Sequence, residues 1–201
     1  MCAGSVRYYA ACVAAGKVAI DTGETRLPLR HSHHRYAIAG PNGLQQLTVP
    51  LVGDTNAMPV AMRDVRISEH ADWRRIHWGA LFSAYGRTPY FDYVAADLEP
   101  IIMGKQSWLL DYNEQLQQVI VDFMDLPVEF VHAAEVDTAA ATDLRGRIGG
   151  KKPDSLSIAS VPYYQVWQER HSFIGNLSIL DLMMNMGREG IFTLLKMTQS
   201  R

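Results

Sequence analysis

Cysteine is scarce in this sequence, since only Cys2 and Cys12 occur, and their spacing fits no metal-binding or redox motif. Cys12 stands in an apolar stretch with no adjacent base, which predicts a core residue rather than a nucleophile. No apolar run approaches the roughly 20 residues that a membrane-spanning helix needs, and no signal peptide is recognisable. We therefore expect a protein of the reducing cytoplasm without a membrane span.

Charge of one sign is not in excess either. The chain carries 19 Lys and Arg against 21 Asp and Glu, a net charge of −2. This balance provides no general attraction to a polyanion, so we expect no nucleic-acid partner. The composition does not indicate a cofactor, and it leaves the oligomeric state open.

Glycine-rich signature motifs are also missing. The stretch Gly146 to Lys152 resembles a phosphate-binding loop but has Arg145 where the first glycine is needed and Lys152 where Ser or Thr is needed. The interpretation that we prefer is a basic loop, which could still meet a phosphate as point charges. Neither Gly-x-Gly-x-x-Gly nor Gly-x-Ser-x-Gly occurs, so dinucleotide-binding and hydrolase folds lack support.

What is present predicts one α+β domain over residues 1–201. The chain is about half apolar, at 48%, which is enough for a substantial core. The turn signal Gly40-Pro41-Asn42-Gly43 lies between two apolar runs and predicts a hairpin over residues 36–51. We expect a short mixed sheet packed with about five helices. The predicted helices cover 5–15, 72–85, 90–102, 107–124 and two at the C-terminus, and further strands are predicted at 18–20, 65–67 and 128–131.

His77 is the first candidate for chemistry. On helix 72–85 the repeat of Trp73, Ile76, Ala80 and Ala84 predicts the buried face, with His77 beside it. A histidine at the edge of a buried face can act as a general base near neutral pH. A hydrogen-bonded boundary histidine without any catalytic role is the alternative.

The region from Asp21 to His34 provides further candidates and is predicted to be an irregular polar loop after Asp21. Asp21 ends a strand, where sheets often carry functional groups, and Glu24 follows. Both carboxylates could instead simply pair with Arg26 or Arg30. His31, His33 and His34 could in principle bind a metal, but no cysteine or carboxylate is spaced to complete a site, so we predict none.

The block from Tyr163 to Leu182 mixes polar groups with aromatic residues. Gln165 is a candidate specificity group, and the fork of Arg170 suits an anion. Asn176 is explained by a structural role as the N-cap of the following helix. Binding and purely structural interpretations are both open here.

Several segments, in order along nearly the whole chain, resemble the WbqC-like family in the form common among the Bacteroidetes. The segments that carry this resemblance include Val18-Ala19-Ile20-Asp21-Thr22-Gly23-Glu24, His34-Arg35-Tyr36, Ile38-Ala39-Gly40-Pro41-Asn42-Gly43, Trp73-Arg74-Arg75-Ile76-His77-Trp78, Thr88-Pro89-Tyr90-Phe91 and Asn176-Leu177-Ser178-Ile179-Leu180-Asp181-Leu182. Family members usually have another strand before the position of Val6, so we expect this chain to begin late relative to the family.

The resemblance implies a role in surface-polysaccharide (O-antigen) synthesis. One hypothesis is an acyl or aminoacyl transferase, glycyl included, that acts on a sugar or nucleotide sugar. The other is a protein of the same pathway that binds such a ligand without chemistry. In the first hypothesis His77 or Asp21 is the base. The predicted substrate-binding residues are Glu24, His34, Arg35, Tyr85, Gln165, Arg170 and Asn176, and we expect Asp21, Arg35, His77, Gln165 and Arg170 to line one pocket.

Overall fold

The computed structural model describes residues 1–25, 31–53, 60–145, 148 and 158–199, with only the backbone of His31 and Ser32. Its strands form two pairs. β1 (Lys17–Ile20) runs parallel to β4 (Glu129–His132), so that Ile20 lies opposite His132. β2 (Arg35–Gly40) and β3 (Gly43–Thr48) form an antiparallel hairpin, with Arg35 opposite Thr48. The predicted α+β class and the hairpin are confirmed.

Six helices of eight residues or more occur in the described part of the chain, close to the number predicted. They are α1 (Val6–Ala15), α3 (Trp73–Tyr85), α4 (Phe91–Met103), α5 (Leu109–Met124), α7 (Ile179–Met186) and α8 (Gly190–Gln199). Two single-turn helices, α2 (His31–His34) and α6 (Gln168–His171), complete the set.

Local sequence explains where α1 and the hairpin begin and end. The Ser5 hydroxyl accepts a hydrogen bond from the Tyr8 amide at 3.3 Å and so caps α1. Gly16 ends the helix with a φ of 69°, a conformation that glycine adopts without strain. The hairpin turns at Pro41 and Asn42, and Gly43 takes a φ of 95°.

The core forms where the apolar faces of the helices meet. The buried face of α5 comprises Leu109, Tyr112, Leu116, Ile120 and Met124, which recur at helical spacing. α5 packs against α4 and α7, α3 packs against α4 and β2, and α1 packs against α8. The start of α1 is also joined to the start of α7, because the Val6 amide donates to Leu177 O and the Ile179 amide donates to Gly4 O.

Several local expectations differ from the structure. The last four residues of the predicted polar loop form α2, and residues 65–67 make only single bridges, of Ile67 with Leu51 and of Arg66 with Trp108. α7 is capped by Ser178, whose hydroxyl accepts from the Leu180 amide at 3.2 Å, and not by Asn176. The cap prediction was wrong because Asn176 has a φ of 57° and lies two residues too early.

The buried face of α3 is rotated relative to the prediction. Ile76 is 58% exposed, whereas Arg74 and His77 are buried beside Trp73 and Leu81. The periodic pattern assigned polar residues to the surface. Here both polar side chains are accommodated in the interior by hydrogen bonds.

Candidate functional site

A cavity of about 490 Å³ runs along β1 to its carboxyl end, between α1, α5 and the segment 138–145. This volume is in the range that binds small molecules. Residues that follow β1 and β4 meet at this end because the two strands are parallel. The polar residues that line it include Asp21, Glu24, His33, Asn113, Glu114 and Gln117.

Asp21 anchors the segment 138–145 to the end of β1. Its Oδ2 atom lies 2.6 Å from Arg145 Nη1, and its Oδ1 atom accepts from the Gly23 amide at 3.0 Å. Arg145 also binds Asp143 through two N–H groups, at 2.9 and 3.0 Å. All three charged side chains are partly exposed, so this cluster organises the cavity wall more than it stabilises the fold. The alternative partners Arg26 and Arg30 lie outside the described residues, as does nearly all of the stretch 146–152.

The α5 wall of the cavity carries three polar residues, Asn113, Glu114 and Gln117. The Asn113 amide nitrogen donates to the His33 carbonyl at 2.9 Å, which fixes the orientation of the amide. Asn113 is only 5% exposed, and its Oδ1 has no hydrogen-bond partner in the described part of the chain. A buried acceptor without a donor is unusual in proteins and indicates a place for a ligand or water.

Glu114 is held by a histidine from β4. His132 Nε2 lies 2.8 Å from Glu114 Oε1, and His132 Nδ1 lies 4.0 Å from Glu135 Oε1. This pair was not predicted from the sequence. Glu114 lies within a predicted helix and His132 directly follows a predicted strand, but nothing local in the sequence shows that the two elements meet.

Cys12 lines the same cavity but is poorly suited to nucleophilic chemistry. It is 1% exposed, and burial raises the pKa of its thiol to about 12. The thiolate is the nucleophilic form, so Cys12 is unreactive near neutral pH. Its predicted place in the apolar interior is confirmed.

His77 lies elsewhere, in the interior between α3 and the hairpin. It is 2% exposed, its Nδ1 lies 3.2 Å from the Tyr36 hydroxyl, and its Nε2 lies 3.1 Å from the Thr48 carbonyl oxygen. Burial lowers the pKa of His77 to about 4. Both ring nitrogens are therefore occupied in a neutral, enclosed imidazole, an arrangement that favours the structural alternative over general-base catalysis.

Tyr85 and Gln165 belong to a second buried network, centred on Asp181. The Asp181 carboxylate accepts from Tyr85 at 2.9 Å, from Tyr163 at 2.6 Å and from Gln165 at 2.9 Å. Burial raises the pKa of Asp181, and the three hydrogen bonds oppose this rise. Gln165 also exchanges two hydrogen bonds with the backbone of Ile174. The network ties the segment 163–174 to α7 and encloses Tyr85 and Gln165 completely.

The remaining predicted site residues are dispersed. His34 is buried at the end of α2, and Arg35 is half-buried at the start of β2. Arg170 and Asn176 are exposed on α6 and on the segment before α7. Of the nine predicted residues, only Asp21 and Glu24 line the cavity. The five that we expected in one pocket therefore do not line this cavity together, and their individual roles stay predictions.

Two further features of the described residues bear on function. No group of three or more His, Cys, Asp or Glu among them is arranged to hold a metal ion. No helix in the described ranges combines the length and the apolar character that crossing a bilayer requires.

Comparison with known proteins identifies one family. The chain matches the WbqC-like protein family over residues 29–150, more than half of its 201 residues. This range contains the hairpin, α3 to α5, β4 and the segment 138–145, whereas Asp21 and Glu24 lie before it. No curated protein and no solved structure matches the chain.

Proposed function

Because the chain belongs to the WbqC-like protein family, we propose that the cavity is the active site of a transferase that moves an acyl or aminoacyl group, such as glycyl, onto a sugar of surface-polysaccharide (O-antigen) synthesis. One observation carries the proposal: a cavity of small-molecule size gathers Asp21, Glu24 and Glu114 at the carboxyl end of a parallel strand pair. The polar lining suits a hydroxyl-rich ligand.

The proposed reaction joins an acceptor amine or hydroxyl on the sugar to the carbonyl carbon of an activated donor, a thioester such as an acyl-CoA. A C–N or C–O bond forms and the C–S bond breaks. The acceptor's proton passes to Asp21, the base candidate that lines the cavity, and then to the departing thiolate. Proton transfer of this kind contributes roughly a hundredfold or more to the rate.

The second candidate function is binding without chemistry. Two observations favour it: Asp21 is already engaged by Arg145 at 2.6 Å, and Cys12 is buried in its protonated form. A protein with this site would recognise a sugar or nucleotide sugar and pass it to another component of the same pathway.

A combined thermal-shift and mass-spectrometry screen separates the two functions. The 201-residue chain is tested with amino sugars, nucleotide sugars, acyl-CoA thioesters, and ATP with amino acids. We expect stabilisation by one sugar and, with a donor present, a mass gain on that sugar. Stabilisation without a mass gain supports binding alone, and no stabilisation by any sugar contradicts both functions.

The role of Asp21 is tested by Asp21→Asn, which should lower the transfer rate about a hundredfold. Asp97→Asn on the exposed face of α4 is the matched control and should leave the rate unchanged. Arg145→Gln separates the base from its ion pair, because it removes the pair but keeps the carboxylate. A rate loss in Arg145→Gln as large as that in Asp21→Asn would assign the effect to the ion pair and contradict the base role.

A further inference from the structure

The geometry points to a subsite for a primary ammonium group on the α5 wall of the cavity, formed by Asn113 and Glu114. The inference rests on the proposed function and deepens it, because it states which chemical group the ligand presents at this wall. Neither residue was selected from the sequence, and neither is needed as the base of the proposed reaction.

Asn113 provides the first part of the argument. Its amide nitrogen donates to the His33 carbonyl at 2.9 Å, so the amide oxygen is identified as the acceptor of the side chain. That oxygen has no donor in the described part of the chain, although Asn113 is 95% buried and lines the cavity. A ligand that satisfies it must bring a hydrogen-bond donor.

Glu114 provides the second part. It is the next residue on the same helix, and it also lines the cavity. His132 occupies one side of its carboxylate at 2.8 Å, and a carboxylate has about four acceptor positions, so others stay available. Glu114 therefore adds a negative charge and further acceptors to the cavity wall that also contains Asn113.

Two cationic side chains that line the cavity, Lys17 and Arg145, are already engaged with other carboxylates. Lys17 Nζ lies 3.1 Å from Glu129, and Arg145 binds both Asp21 and Asp143. The pair Asn113 and Glu114 thus offers a charge and acceptors together. An ammonium group has three donors and no acceptor, which matches this set, whereas phosphate and carboxylate groups offer only acceptors. A neutral hydroxyl supplies one donor and no charge.

Two ligands of the proposed reaction could carry such a group. One is an amino sugar that serves as the acceptor, and the other is the amino acid part of an aminoacyl donor. The subsite chemistry is the same for both, so binding measurements have to distinguish them. Glucosamine represents the first source, and glycinamide represents the second.

Isothermal titration of the 201-residue chain near neutral pH tests the subsite. Glucosamine is compared with N-acetylglucosamine and glucose, and glycinamide with its N-acetylated form. We expect at least one ammonium compound to bind about tenfold more tightly than its neutral counterparts, the size of effect expected for a charge-assisted hydrogen bond. The tighter of the two ammonium compounds identifies the source. Equal binding of charged and neutral compounds, or no binding of any at several millimolar, would overturn the inference.

Substitutions on α5 then test whether Glu114 causes the preference for ammonium compounds. Glu114→Gln keeps the size of the side chain and should abolish the preference for the ammonium compound. Asp111→Asn removes the same charge from the exposed face of α5 and should preserve it. An ammonium preference that survives in Glu114→Gln would overturn the assignment. The comparison of ligands on the unmodified chain decides the question even if that variant does not fold.

The outcome is separable from that of the proposed function. Selective binding of an ammonium compound without any transfer product would support the subsite and contradict the proposed transferase activity. Transfer onto a sugar hydroxyl, with no preference for an ammonium compound, would support the transferase and contradict the subsite.

Discussion

The imidazole of His77 is held between two partners that together define its protonation. The Thr48 carbonyl can only accept, so Nε2 carries the hydrogen, and Nδ1 of the neutral ring accepts from the Tyr36 hydroxyl. Burial, together with the smaller effect of Arg74 on the same helix, lowers the pKa of His77 to about 4, although the hydrogen bond to Thr48 opposes this shift. A protonated ring here would be a desolvated charge next to a like charge.

This environment predicts a loss of stability in mild acid. The ordinary pKa of 6.5 applies to the unfolded chain and a pKa of about 4 to the folded chain, so between these values the unfolded state binds more protons. The free energy of unfolding should be unaffected above about pH 6.5 and should fall by up to about 3 kcal/mol as the pH decreases to about 4. Urea denaturation at a series of pH values measures this.

His77→Gln is the control for that experiment, because its amide can donate to Thr48 and accept from Tyr36 but does not titrate. The free energy of unfolding of His77→Gln should increase relative to that of the original chain as the pH falls from about 6.5 to about 4. A difference that stays constant with pH would contradict the assignment of the effect to His77.

At the scale of elements, Arg74 joins α3 to the carboxyl end of α4. It is 7% exposed, donates to the Ile102 and Gln106 carbonyl oxygens, and lies over the Trp73 ring at 4.4 Å from its centroid. Glu69 supplies a carboxylate at 3.0 Å. A cation at this position also interacts favourably with the negative end of the α4 dipole.

Arg74→Lys should destabilise the protein although the charge is kept. A lysine has a single ammonium group and cannot reproduce a planar fork that reaches two carbonyl groups and a carboxylate. We expect the free energy of unfolding to decrease by about 2 kcal/mol, as measured by urea denaturation. The adjacent Arg75→Lys is the matched control, since Arg75 is exposed and its ion pair in the described part of the chain is with Asp72 at 2.8 Å, and it should change stability by less than about 0.5 kcal/mol. Equal effects of the two substitutions would contradict the role of Arg74.

Elements with local signals were predictable from the sequence. Ser5 and Gly16 delimit α1, and the turn at Pro41 and Asn42 defines the hairpin. α2 and α6 were missed because four residues carry no helical periodicity. The orientation of α3 was misjudged because the buried polar residues Arg74 and His77 are indistinguishable from surface residues in a periodic pattern.

At the scale of the whole molecule, the cavity depends on contacts between distant parts of the chain. Asp21 and Glu24 were selected because a strand end is visible in the sequence. Glu114 and His132 could not be selected from the sequence, because β1 pairs with β4 across more than 100 residues and nothing local specifies that pairing. The same limitation explains why candidates from separate motifs were expected in one pocket. Gln165 belongs to a network around Asp181 instead, and His77 lies in a different part of the interior.

If the cavity is the functional site, filling its edge should remove function without affecting the fold. Ala141 is exposed and lines the cavity, so Ala141→Trp should lower the affinity for the sugar ligand by about tenfold or more while the melting temperature changes by no more than a few degrees. Ala140→Trp is the matched control, because Ala140 is also exposed and is not among the residues that line the cavity. Titration calorimetry and thermal denaturation measure both variants. Because Ala141 lines the cavity and Ala140 does not, unchanged affinity in Ala141→Trp, or an equal loss in both variants, would place the ligand elsewhere on the molecule.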